Sequence, residues 1–343
     1  MGAIAFLFFV RSFLSNNVKN VNIDPMKTIA KVVGSLFVGI LIFLLFMAES
    51  DKPLADLIPL YTNKQSKFMP ILGMKVHYRD EGIATDSVPL LLLHGMSSSL
   101  NTWDSVVLDL KKTRRVISLD LPGFGLTGPS PENTYNFDYY SKFIDSFTTR
   151  LQIKRFVLVG NSMGGAISWN YALHNPKALA KMVLIDAAGY PKKGESGSLG
   201  FKIASMPVIN NLLLYITPKI LVRKSLETIY HDQAKVTDAQ VERFHDVAIR
   251  EGNRAVALEI FKGSFGTSSK KFGKTTSEQI QQINVPTLIL WGEKDQLISV
   301  DNVDHFKRDI KGSVAEIYPN IGHVPMEEAP HKVSQSILSF LTK

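Results

Sequence analysis

The chain contains no cysteine. That excludes disulfide scaffolds, thiol nucleophiles, iron–sulfur clusters and cysteine-ligated zinc. It has no internal repeat of 20–50 residues, which excludes a solenoid or propeller. Its 16 prolines and 23 glycines are scattered singly, so it is neither collagen-like nor Pro-rich. The net charge is +8, but no basic stripe accompanies a nucleic-acid reader motif, and no nucleic-acid partner is expected. Nor is any metal or organic cofactor. Apolar residues are 45% and charged residues 20%, which excludes global disorder. The 343 residues suffice for a large core plus one sizeable insertion.

One long apolar run is present. Positions 32–48 carry no charge, and starting at Ile29 adds only Lys31. Twenty helical residues span about 30 Å, the hydrocarbon thickness. Residues 29–48 are therefore expected to be a transmembrane signal anchor. Arg11, Lys19, Lys27 and Lys31 precede the uncharged run 32–48, while Glu49, Asp51 and Lys52 follow. The positive-inside rule then gives a single-pass protein with a cytoplasmic N-terminus and its catalytic domain outside, periplasmic in a bacterium. Ala48-Glu49-Ser50 also fits a cleavage site, so a removed signal peptide stays open, although its apolar region would run about 7–15 residues. Met26-Lys27-Thr28 reads as a fresh start, which makes residues 1–25 an upstream extension of the reading frame.

Residues 49–67 read as a tether. Beyond them, 68–72 and 75–79 flank Gly73 as a hairpin. Buried strands are expected at 88–93, 115–119, 155–159, 181–185 and 285–291, with helix-length stretches such as 136–151 and 164–174 between them. Such alternation predicts an α/β fold with a mostly parallel, doubly wound sheet. Residues 68–189 and 285–343 form this core. Residues 190–284 separate two strands and read as an inserted helical cap. Thr237 with Gln240 is a capping-box signal there, followed by an apolar stripe at Val241, Phe244 and Ala248.

Strand 155–159 runs into Gly160-Asn161-Ser162-Met163-Gly164. This is G-x-S-x-G between a strand and a helix, where a sharp turn exposes a nucleophilic serine. The Met163 N–H and the helix dipole face a developing oxyanion. Strand 88–93 ends in His94-Gly95-Met96, which offers the Met96 N–H as a second donor. His94 is expected to hold that loop. A serine needs a base. His323, after the short strand 315–318, is the expected base. Asp295, after strand 285–291, is the expected acid, with Asp186 in reserve. The order Ser162, Asp295, His323 is the one this architecture requires.

These motifs, with Asp120-Leu121-Pro122-Gly123-Phe124-Gly125 and Trp291-Gly292-Glu293-Lys294-Asp295, resemble the signatures of the α/β-hydrolase superfamily in order. Asn161–Gly165 and His323-Val324-Pro325-Met326 are similar to membrane-anchored bacterial lipases and esterases and to monoacylglycerol lipases. The resemblance implies that Asp120–Gly125 is a turn lining the site. It implies a membrane-tethered serine carboxylester hydrolase of acylglycerol or lysophospholipid type, with a lipid-like ester as partner. The cap's charge excess of +5 suits an anionic bilayer, where each basic residue contributes about 1 kcal/mol. A C–C bond hydrolase of meta-cleavage products shares the elbow and stays open. So does a ligand-binding sensor on a hydrolase scaffold.

Overall fold

A computed structural model describes residues 25–190, 214–265 and 277–342. The expected upstream extension therefore lies outside the described residues, save Pro25. The chain divides into two units, 1–48 and 49–343. In the first, helix α1 covers Pro25–Met47. Among the described residues no helix is long and apolar enough to cross a membrane. The span expected at 29–48, and the single-pass topology built on it, are thus not supported.

The second unit opens differently from a loose tether. Lys52 pairs with the segment around Arg250: its N–H donates to Ile249 O at 2.8 Å, and its carbonyl accepts from Glu251 N–H at 2.9 Å. Lys52 Nζ donates to Asp246 Oδ1 at 2.6 Å. Arg254 Nε donates to Asp51 Oδ1 at 2.8 Å, and His245 Nε2 lies 2.9 Å from Glu49 Oε2. Helix α2 (Leu54–Tyr61) follows, its Tyr61 hydroxyl donating to Asp246 Oδ2 at 2.9 Å.

Strands β1 (Ser66–Ile71) and β2 (Met74–Gly82) form the expected antiparallel hairpin. Leu72 and Gly73 between them both have positive φ, the two-residue turn whose twist matches such a hairpin. Then come β3 (Leu90–Leu93), β4 (Arg115–Leu119), β5 (Phe156–Asn161), β6 (Leu179–Ile185), β7 (Thr287–Gly292) and β8 (Val314–Tyr318). The sheet order is β1-β2-β4-β3-β5-β6-β7-β8, parallel from β4 onward. Leu91 and Leu93 join one core cluster while Leu90 and Leu92 join the other. Both faces are thus covered, which is why β3 can be four consecutive leucines.

Helices α3 (Asp104–Leu110), α4 (Phe137–Arg150) and α5 (Met163–His174) pack on those faces. In the interval 190–284, the described part holds α6 (Lys219–Ile229), α7 (Asp238–Ala248), α8 (Asn253–Phe265) and α9 (Ser277–Ile280). The capping box of Thr237 and Gln240 forms as expected. Helices α10 (Asn302–Asp309), α11 (Pro325–Glu328) and α12 (Pro330–Thr342) complete the chain. The sheet winds one way from β3 to β4 and the other way from β5 onward. Loops leaving the carboxyl ends of β3 and β5 therefore diverge, and they flank the crevice where such sheets place ligands.

Candidate active site

β5 ends at Asn161 and α5 begins at Met163, leaving Ser162 to make the whole turn. It does so at φ 55° and ψ −115°, a region that costs a non-glycine residue on the order of 1–3 kcal/mol. The surroundings impose this conformation. A Cβ on Gly164 would fall 2.3 Å from Leu93 O, so α5 starts in direct contact with the end of β3.

The loop after β3 presses on the serine. A Cβ on Gly95 would lie 3.2 Å from Ser162 Cβ and 3.1 Å from Asn161 Oδ1. His94 fixes this loop, as expected. Its Nδ1 lies 2.7 Å from Gly95 O, and its Nε2 accepts from Leu121 N–H at 3.0 Å. Those partners require a hydrogen on Nδ1 and none on Nε2. Burial agrees, holding the imidazole below its ordinary value. Met96 follows Gly95 directly. Met163 is the first residue of α5, so its N–H has no acceptor within the helix.

Asp120 is structural. Its Oδ1 accepts from Leu100 N–H at 2.7 Å, its Oδ2 accepts from Leu126 N–H at 2.8 Å, and His77 Nδ1 lies 2.8 Å from Oδ2. Together they pin the 120–126 turn, and Trp103 packs nearby, wholly buried.

Asp295 and His323 are brought together from the ends of β7 and β8. His323 Nδ1 lies 2.7 Å from Asp295 Oδ2. Asp295 Oδ1 accepts from Leu297 N–H at 2.7 Å and Ile298 N–H at 3.0 Å. An ionised carboxylate only accepts, so Nδ1 carries the hydrogen and Nε2 is left as the basic nitrogen.

Asp186 is wholly buried, with φ 45°. Its Oδ1 accepts from Gly292 N–H at 3.0 Å. As a carboxylate it would leave Oδ2 buried and unpartnered. As a carboxylic acid it has Asp295 to donate to. Burial, then the charge of Asp295, pushes its carboxyl well above the ordinary value. Asp186, Asp295 and His323 form a group within 4.8 Å that could in principle hold a metal ion. The His323–Asp295 contact already engages two of its members.

Residues 88–216 match the family model described as alpha/beta hydrolase fold, a stretch carrying the His94–Met96 loop and the Ser162 turn. The chain has the α/β-hydrolase fold. The hydrolase is 29% identical over 266 residues to the uncharacterized hydrolase YugF of Bacillus subtilis, covering 77% of this chain and 92% of that one. It is 28% identical over 286 residues to monoacylglycerol lipase ABHD6 of Homo sapiens, covering 79% and 83%. A solved meta-cleavage product hydrolase from Pseudomonas fluorescens IP01 shares the fold at TM-score 0.70 and 23% identity, over 82% and 99% of the two chains.

Two contacts of the site escape sequence reasoning. Asn161 Nδ2 donates to His323 O at 3.1 Å and to Ile185 O at 3.2 Å. Glu327 and Glu328, just after the base, bind residues of the interval 190–284. The partners stand far apart in sequence, and no local pattern announces them.

Proposed function

We propose that this hydrolase cleaves carboxylic esters of lipid-like type, monoacylglycerols or lysophospholipids, by acyl transfer through Ser162. The 2.7 Å His323–Asp295 contact, joined through the Asn161 amide on His323 O to the strained strand-to-helix turn of Ser162, supports the reading. The human monoacylglycerol lipase among its relatives supports the choice of ester.

In the first half-reaction, Ser162 Oγ attacks the ester carbonyl carbon and its proton passes to His323 Nε2. The carbonyl π electrons move to oxygen, and the Met96 and Met163 N–H groups donate to that oxyanion. Asp295 holds the Nδ1–H tautomer and faces the imidazolium that forms. The oxyanion collapses, the ester C–O bond breaks, and the departing alkoxide takes the proton from Nε2. In the second half-reaction, water gives its proton to Nε2 and attacks the acyl-enzyme. Collapse then releases the carboxylic acid and returns the proton to Ser162.

A panel of monoacylglycerols, lysophospholipids and vinylogous diketones tests the substrate class. Turnover of the esters is expected. Faster cleavage of the diketones would replace this reading by C–C bond hydrolysis, and the absence of turnover on every member would leave a ligand-binding scaffold.

A further inference from the structure

The base is not held by the sheet domain alone. The end of α6 and the turn after it, Ile229–Asp232, wrap the Gly322–His323 peptide. The His323 N–H donates to Ile229 O at 2.7 Å. Glu328 is buried at 5% exposure and works in both directions. Its Oε1 accepts from Gly322 N–H at 2.6 Å. Its Oε2 accepts from His231 N–H at 3.0 Å and from Asp232 N–H at 3.1 Å. The fit leaves no room: a Cβ on Gly322 would meet Ile229 O at 2.4 Å and His231 N at 2.7 Å. Glu327 adds a second tie, its Oε2 accepting from the Tyr230 hydroxyl at 2.6 Å. Lys235 Nζ donates to Glu328 O at 2.8 Å.

We propose that Glu328 is a positioning residue for the base: its carboxylate fastens the backbone N–H of Gly322, the residue before His323, to the turn 229–232, so the seating of the cap sets where His323 stands. The inference rests on the roles proposed for Ser162 and His323. A base displaced by even 1 Å can cost on the order of 10²-fold in rate. Substrate binding by other contacts would be untouched, so the cost belongs in kcat rather than KM.

Glu328→Gln tests this. The amide keeps the shape but accepts at one position only, and its NH2 opposes an N–H donor at the other. In the folded full-length variant, kcat on a p-nitrophenyl ester is expected to fall on the order of 10²-fold with KM unchanged. Fluorophosphonate labelling of Ser162 should slow in parallel, per titrated active site. Gly322→Ala keeps both carboxylates and forces a methyl into the same contact, so it should show the same split. A folded E328Q with wild-type kcat and labelling rate overturns the proposal. If E328Q does not fold, Gly322→Ala and Glu328→Asp carry the test. Failure of all three to fold would make the contact purely structural and overturn the proposal too. Wild type that fails to label at Ser162 sinks the proposed function itself; wild type that labels while E328Q labels equally fast sinks only this inference.

Discussion

Asn161 donates its side-chain amide to the carbonyl oxygen of His323 at 3.1 Å, so the residue before the serine holds the backbone of the expected base. Replacing it by alanine leaves that buried carbonyl without this donor. Asn161→Ala should lower kcat by about 10–100-fold, because reacting groups held out of line lose rate steeply. Steady-state kinetics on a soluble ester checks this; an unaltered kcat would mean the base needs no such support.

Ser162→Ala removes one oxygen from a turn whose conformation its neighbours impose. The variant should fold and lose about 10⁴–10⁶-fold in kcat, as serine triads elsewhere do. Labelling by a fluorophosphonate should disappear with it. Labelling at another serine would move the nucleophile.

Two carboxyls stand close to His323, and substitution separates their roles. Asp295→Asn should cost about 10³–10⁴-fold, because the imidazole loses its tautomer-fixing acceptor. Asp186→Asn should stay near wild type, since an amide accepts from Gly292 N–H and donates toward Asp295 as a neutral acid would. The opposite pattern would make Asp186 the acid. EDTA should leave activity unchanged, because His323 and Asp295 serve each other.

Asp186 also makes stability depend on pH. Its carboxyl is pushed above the ordinary value of 3.8, by burial first and the charge of Asp295 second. The unfolded chain releases this proton near 3.8 while the folded chain keeps it. Its contribution is therefore fully present below that pH and is lost progressively as pH rises toward the folded value. Asp186→Asn carries no such proton. The melting temperature of the variant relative to wild type should climb between pH 4 and pH 7. A difference that stays flat would show that Asp186 ionises normally.

Local patterns announce local structure here. Four leucines in β3, the Leu72–Gly73 turn and the Thr237 capping box were all legible because each is fixed within a few residues. The strand-to-helix turn at Ser162 was legible for the same reason. Asp295 and His323, the expected acid and base, could be named because each follows a strand, the buried β7 and the largely exposed β8. The ties that orient them could not: Asn161 and the carbonyl of His323 are 162 positions apart, and Glu328 and His231 are 97 apart. The apolar run at 29–48 marked α1, but a span there is not supported, because among the described residues no helix is long and apolar enough to cross a membrane.

The contacts of residues 49–52 decide where the chain can be shortened. A protein starting at Glu49 keeps all of them. One starting after Lys52 strips Asp51 from Arg254, whose side chain is only 6% exposed, and Lys52 from Asp246, at 2%. Each buried charge would then lack its oppositely charged partner, Asp246 keeping the Tyr61 hydroxyl and His245, and removing one member of a fully buried pair costs about 3–5 kcal/mol. The lost partners are about one-third exposed, so solvent already weakens both pairs and the true cost is smaller. Those four residues are therefore the edge of the fold, and the first safe place to begin it is Glu49.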